Sequence, residues 1–223
     1  MASKPGERKL QILQTVAQML EQPKGEKITT AALAARLDLS EAALYRHFAS
    51  KAQMFEGLIE FIEQTVFGLI NKITQEEKSG VQQIEAIMSM LLGFAQKNRG
   101  MVRVLIGDAL VNEDERLQQR INQLLDRIEA TLKQSLRMAA TQGEMGEAVG
   151  GQTLGEPVSG TGMPPSSPSR TAATRTVSGE DISAHANVLV CYVIGRWLLY
   201  AKSGFAREPM AQWPGQWAIL LHK

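Results

Sequence analysis

Between Thr29 and Lys51 the chain gathers hydroxyl, phenol, imidazole, guanidinium and ammonium groups around two short apolar repeats, a pattern suited to gripping a polyanion. Thr29 and Thr30 precede Leu33, Ala34 and Leu37; Ser40 precedes Glu41-Ala-Ala-Leu-Tyr-Arg-His47. Each hydroxyl can close the first turn of a helix by accepting from a backbone N–H, and Glu41 suits the positive end of the second helix. Asp38 and Leu39 form a tight turn between them, so the segment reads helix, turn, helix. Ala42 and Ala43 are small enough to let backbone approach a major groove, while Ser40 and Arg46 can reach base edges and phosphates. Tyr45, His47 and Lys51 offer groups suited to phosphates beside a further helix start. The candidate DNA contacts are thus Thr29, Thr30, Ser40, Glu41, Ala42, Ala43, Tyr45, Arg46, His47 and Lys51. Thr29 is expected both to cap its helix and to touch a phosphate. Two readings stay open for Tyr45 and His47, phosphate ligand or packing beneath the second helix. Arg46 is a reader of guanine or phosphate, or an ordinary exposed arginine. Leu33, Leu44 and Phe48 are assigned to the core.

The rest of the chain offers little for bond-breaking chemistry. One cysteine among 223 residues can make neither an internal disulfide nor a zinc site. Three histidines, at 47, 185 and 222, leave little for a metal cluster, and no spacing joins Ser, His and Asp into a catalytic set. No enzyme, metal or cofactor is expected. Cys191, in an apolar run, is expected to be inert, and His185 a solvated helix-start residue. Lys and Arg total 24 against 23 Asp and Glu, so attraction to a polyanion must be local. Residues 1–55 carry eight Lys/Arg against five Asp/Glu, whereas the remainder carries 16 against 18, which places the basic excess at the N-terminus. Met1 to Leu20 lacks a signal-peptide apolar stretch. Ile182 to Tyr200, interrupted by His185, Asn187 and Arg196, reads as a poor membrane span. A soluble cytoplasmic protein is expected.

Helical elements must position these groups. Leu10, Ile12, Leu13, Val16, Ala17 and Leu20 recur at amphipathic helix spacing. Ser50 caps a helix from Lys51 to about Lys72; others are expected at Val81 to Asn98, at Met101 to Val111 after a break at Arg99-Gly100, and from Glu113 to about Met138. In the last of these, Leu117, Ile121, Leu124, Ile128, Leu132 and Leu136 form one seam. Residues 141–180 hold eight Gly, four Pro, five Ser and six Thr and no aromatic residue, the composition of a disordered insertion. Asp181 then caps a helix to about Ser203 that is apolar around most of its circumference, so a dimer partner is expected to cover it. Pro209 and Pro214 bracket a short terminal helix around Trp217. The fold class is all-α, divided into 1–51 (helix-turn-helix), 52–140 (helical core), 141–180 (insertion) and 181–223 (dimerisation helices).

The string Ile28-Thr-Thr-Ala, followed by Leu39-Ser-Glu-Ala-Ala-Leu-Tyr-Arg-His-Phe-Ala-Ser-Lys51, resembles the DNA-binding domain of the TetR family. Leu58-Ile-Glu-Phe-Ile-Glu63, Leu91-Leu-Gly-Phe94, Arg120-Ile-Asn-Gln-Leu-Leu125 and Arg127-Ile-Glu129 are similar to its nucleoid occlusion branch. The likeness covers residues 8–140 well and 181–221 loosely, and residues 141–180 have no counterpart in it. The resemblance implies a nucleoid-associated homodimer with paired helix-turn-helix heads on palindromic DNA. It also implies that the chain binds the division GTPase FtsZ, whose tail would lie between the fourth and fifth helices and block ring assembly over the chromosome. The matching positions are Phe61, Leu69, Met90, Gly93, Lys97 and Asn98, with Leu69 standing where the family prototype has arginine. Core packing remains the competing reading for Phe61 and Met90. A ligand-responsive TetR-type repressor is the alternative function.

Overall fold

The computed structural model describes residues 5–22, 28–145 and 178–221. These residues form α-helices and one 3-10 turn, with no strand among them: α1 (Pro5–Leu20), α2 (Thr30–Arg36), α3 (Glu41–Tyr45), α4 (Lys51–Glu76), α5 (Gly80–Lys97), α6 (Arg99–Leu105), a 3-10 turn at Asp108–Leu110, α7 (Glu115–Thr141), α8 (Gly179–Lys202) and α9 (Trp213–Leu220). The first three helices make a head on the start of α4, and the others make a body. One core runs through both, from Ile12, Leu33 and Leu44 to Leu58, Leu91, Leu124 and Trp197.

Local chemistry sets the element boundaries. Ser50 Oγ accepts from Gln53 N at 3.2 Å to open α4, and Ser79 Oγ accepts from Gln82 N at 3.1 Å to open α5. The seam of α7 is buried along its whole length, as its spacing requires, and packs on α5 and α8. Arg120 of α7 forks onto Glu63 of α4 at 3.0 and 2.6 Å, a hydrogen-bonded pairing that raises the guanidinium pKa. At the start of α5 a Cβ on Gly80 would fall 2.3 Å from Ala139 N and 2.5 Å from Ser135 O, so only glycine lets these backbones meet.

The chain beyond α7 returns to finish that joint. Gln142 Oε1 accepts from Gly80 N at 2.9 Å and Glu144 Oε2 from Val81 N at 3.0 Å. The Val81 N–H, then the Ser79 hydroxyl, hold the Glu144 carboxyl below its ordinary pKa. A depressed carboxyl contributes stability above its unfolded pKa and loses it as pH falls through the folded value. Glu144→Gln should therefore melt below the wild type at neutral pH, with the gap closing as the pH drops below the carboxylate range. Calorimetric melts between pH 3 and 7 check this.

Several expectations need correction. Arg99 and Gly100 open α6 rather than break the chain; the turn falls at Asn98 (φ −127°, ψ 62°). The helix placed over Met101 to Val111 ends at Leu105, and Gly107 at φ 78° leads into the 3-10 turn. α8 starts at Gly179: Ser178 is its cap, and Asp181 completes a reciprocal capping box. Pro214 lies within the first turn of α9, where its missing N–H costs nothing. His185 is not solvated, because its Nε2 lies 3.1 Å from Leu220 O and ties α8 to α9. Of the insertion expected over 141–180, residues 146–177 lie outside the described residues. By length and hydropathy alone α8 could cross a membrane, yet it packs against α5, α6 and α7. Its outer side keeps an apolar strip in the open, with Val188 52% and Leu199 45% exposed. Cys191 is exposed on that helix as well.

Candidate functional site

The head is built as its hydroxyls demand. Thr29 Oγ1 accepts from Ala32 N and Ser40 Oγ from Ala43 N, both at 3.1 Å, capping α2 and α3. Asp38 takes the left-handed conformation (φ 54°) that the turn needs, a geometry aspartate tolerates better than most residues. Thr30 Oγ1 donates to Glu41 Oε2 at 2.7 Å, which braces the start of α2 against the start of α3. Leu44 is buried, while Ser40, Glu41, Ala42, Tyr45 and Arg46 face outward and Ala43 and His47 are half-buried. Tyr45, at 45% exposure, is no packing residue. The outward face of α3 therefore pairs small side chains with a phenol and a guanidinium.

Lys51 is placed differently. Its ammonium donates to Glu113 Oε1 at 2.5 Å and lies 5.6 Å over the Phe55 ring, so it bridges head and body. Glu113, in the loop before α7, was not singled out in the sequence, since 62 residues separate the pair. Release of Lys51 by Glu113→Gln should raise DNA affinity. It should also steepen the slope of log K against log salt by about 0.9, the contribution of one added phosphate contact. Salt titrations of duplex binding read that slope; an unchanged value would remove Lys51 from the phosphate contacts.

A second feature lies between α4 and α5. Leu69, Met90, Gly93, Lys97 and Asn98 line one open cavity of about 670 Å³, which Met210, from the segment before α9, also lines. A Cβ on Gly93 would meet nothing within 4 Å, so the glycine leaves space above α5. Met90 is half-buried and Lys97 exposed. Asn98 is partly committed, because its Nδ2 donates to Phe94 O at 2.7 Å. Phe61 is exposed on α4, two turns before Leu69, and does not line the cavity. Met210 carried no signal in the sequence, as it reaches the cavity only through the fold. Among the described residues no group of His, Cys, Asp and Glu could hold a metal ion.

Residues 18–58 match the family described as bacterial regulatory proteins, tetR family, and residues 78–160 match a SlmA-like, tetracyclin repressor-like C-terminal domain. The nucleoid occlusion factor SlmA of Marinomonas sp. (strain MWYL1) is 44% identical over 220 residues, covering 99% of this chain and 96% of that protein. SlmA of Alteromonas mediterranea is 44% identical over 217 residues, covering 97% and 95%. SlmA of Vibrio cholerae is 55% identical over 131 residues, 58% of this chain and 67% of its own. The Marinomonas alignment, at 99% of this chain, spans residues 141–180 as well. Among solved structures, FadR of Bacillus subtilis in complex with stearoyl-CoA superposes with a TM-score of 0.66 at 12% identity, over 96% of this chain and 97% of its own. At that identity the likeness is one of fold.

Proposed function

The chain belongs to the SlmA nucleoid occlusion factors of the TetR family, and from that premise we propose that it is a homodimer binding palindromic DNA through paired α2–α3 heads. In the same proposal the α4–α5 groove takes the tail of FtsZ, so that DNA-bound dimers block division-ring assembly over the chromosome in the cytoplasm. The observation that carries the reading is 44% identity running along nearly the whole chain, head and groove together. The outward face of α3 supports the DNA half: a two-fold axis would set two such helices about 34 Å apart, one turn of duplex. The apolar strip of α8 supports the dimer, since an uncovered surface of that kind marks an interface. The cavity supports the peptide half. Gly93 gives room, Met90 and Leu69 give apolar walls, and Lys97 gives a cation at the rim. With leucine at position 69, binding there leans on burial more than on charge.

A pulldown with a synthetic FtsZ tail peptide tests the groove. Gly93→Trp fills the open space and should weaken capture at least tenfold, a loss near 1.4 kcal/mol, while leaving duplex binding within about twofold. Equal capture by wild type and variant would refute the groove. Genome footprinting separates the two functions: scattered palindromes belong to nucleoid occlusion, a few promoters to a ligand-responsive repressor.

A further inference from the structure

We propose that residues 203–212, between α8 and α9, form a third wall of the groove. Met210 is its specificity-determining contact with an apolar side chain of the bound peptide, and Arg196 is the residue that positions it. This rests on the groove reading above.

Two helices supply two sides of a groove and leave its end open. Here Met210 adds to the lining, carried on a loop that side-chain bonds hold in one place. Arg196 Nε donates to Pro209 O at 3.1 Å, and its Nη2 to Glu208 O, Pro209 O and Ala211 O at 2.8, 3.0 and 3.1 Å. These carbonyls flank Met210 on both sides. Met210 N donates to Gln96 Oε1 at 3.3 Å, which fixes the loop to the last turn of α5 beside Lys97. The loop also turns at two non-glycine residues with left-handed backbone, Phe205 (φ 66°) and Gln212 (φ 61°). Phe205 is held edge-on to Tyr200 at 5.1 Å between centroids, and Phe205 N donates to Tyr200 O at 2.9 Å. Non-glycine residues keep such conformations only where surrounding contacts over-determine them, so the course of the loop is specified.

The chemistry suits both roles. A guanidinium presents several N–H groups in one rigid fork and can saturate adjacent carbonyls, which an ammonium cannot do with the same geometry. Methionine is flexible and polarizable, and moulds to an irregular apolar guest. The loop's side-chain bonds run to Arg196 of α8 and Gln96 of α5, not to the head, so changes in it should be silent toward DNA.

Anisotropy of a labelled FtsZ tail peptide titrated with the full-length protein tests this. Met210→Ala should weaken binding about tenfold, equivalent to 1.4 kcal/mol, and Met210→Leu should restore it. Duplex affinity and thermal midpoint should stay those of the wild type. Arg196→Lys should weaken the peptide similarly, but add less than about twofold when Met210 is already alanine, because Arg196 acts through Met210. An equal Arg196→Lys penalty in both backgrounds would overturn the positioning role. Wild-type peptide affinity in Met210→Ala, with loss in Gly93→Trp, would overturn the third wall and leave the groove standing. Wild-type affinity in both variants would overturn the groove as well.

Discussion

Gly100→Val should part the head from the body, lowering the thermal midpoint by about 5–10 °C and abolishing duplex binding. A Cβ at Gly100 would lie 1.8 Å from the Ala17 carbonyl oxygen and 2.7 Å from its carbon. α6 and α1 therefore meet backbone to backbone, with no flexible side chain between them to give way. Overpacking a filled interior costs about 1–3 kcal/mol, and more where main chain must move. For a chain of this size each kcal/mol shifts the midpoint by about 2–4 °C. The DNA effect follows from geometry: α2 packs on α1 and α3 packs on α2, so a displaced α1 misaims the whole head. Gly68→Ala is the control, since nothing lies within 4 Å of a Cβ there; helix propensity makes that change neutral or stabilising by about 0.5–1 kcal/mol. Melting curves with filter binding check both, and a Gly100→Val protein that melts and binds like the wild type would mean that the two helices are free to separate.

Leu199→Glu should convert the protein to a monomer and reduce affinity for a palindromic site by about 10²–10⁴, the usual gain from linking two binding modules. In an isologous two-fold interface each residue meets the same patch on its twin. The strip on α8 recurs at Val188, Cys191, Leu198 and Leu199, helical spacing on one side, and Ile219 of α9 is 74% exposed. Two glutamates brought together there would lose water without gaining a partner. Light scattering reads the mass directly. Cys191, the chain's one thiol, adds a chemical check: a short bis-maleimide should give a band at twice the chain mass for the wild type and none for Leu199→Glu. Persistence of the dimer in that variant would place the interface elsewhere.

What could be read from the sequence was whatever local chemistry dictates. The hydroxyl caps at Thr29, Ser40 and Ser50, the left-handed Asp38 and the α7 seam all depend on neighbours within a few residues, and all stand where their spacing put them. Leu69, Met90, Gly93, Lys97 and Asn98 do converge on one cavity, placed there by the resemblance rather than by any periodicity. Contacts that cross the chain left no trace. Nothing in the spacing around Lys51, whose ammonium suits a phosphate, announces its ion pair with Glu113, 62 residues on. His185 was read as solvated, but the last residues of α9 reach it. Arg99-Gly100 reads along the chain as a break between helices, whereas in space this glycine serves a close approach to α1. Met210 entered the cavity unannounced for the same reason: proximity in space has no signature in spacing along the chain.

One helix, α8, faces a prospective twin with Val188 and Leu199 and grips the loop behind Met210 with Arg196. Any tilt imposed by pairing must then be felt at the far wall of the cleft, no more than about two turns of the same rod transmitting it without a hinge. Subunit concentration should thus tune how well a guest is held, and a solitary copy would be a poorer receptor even with every contacting side chain intact.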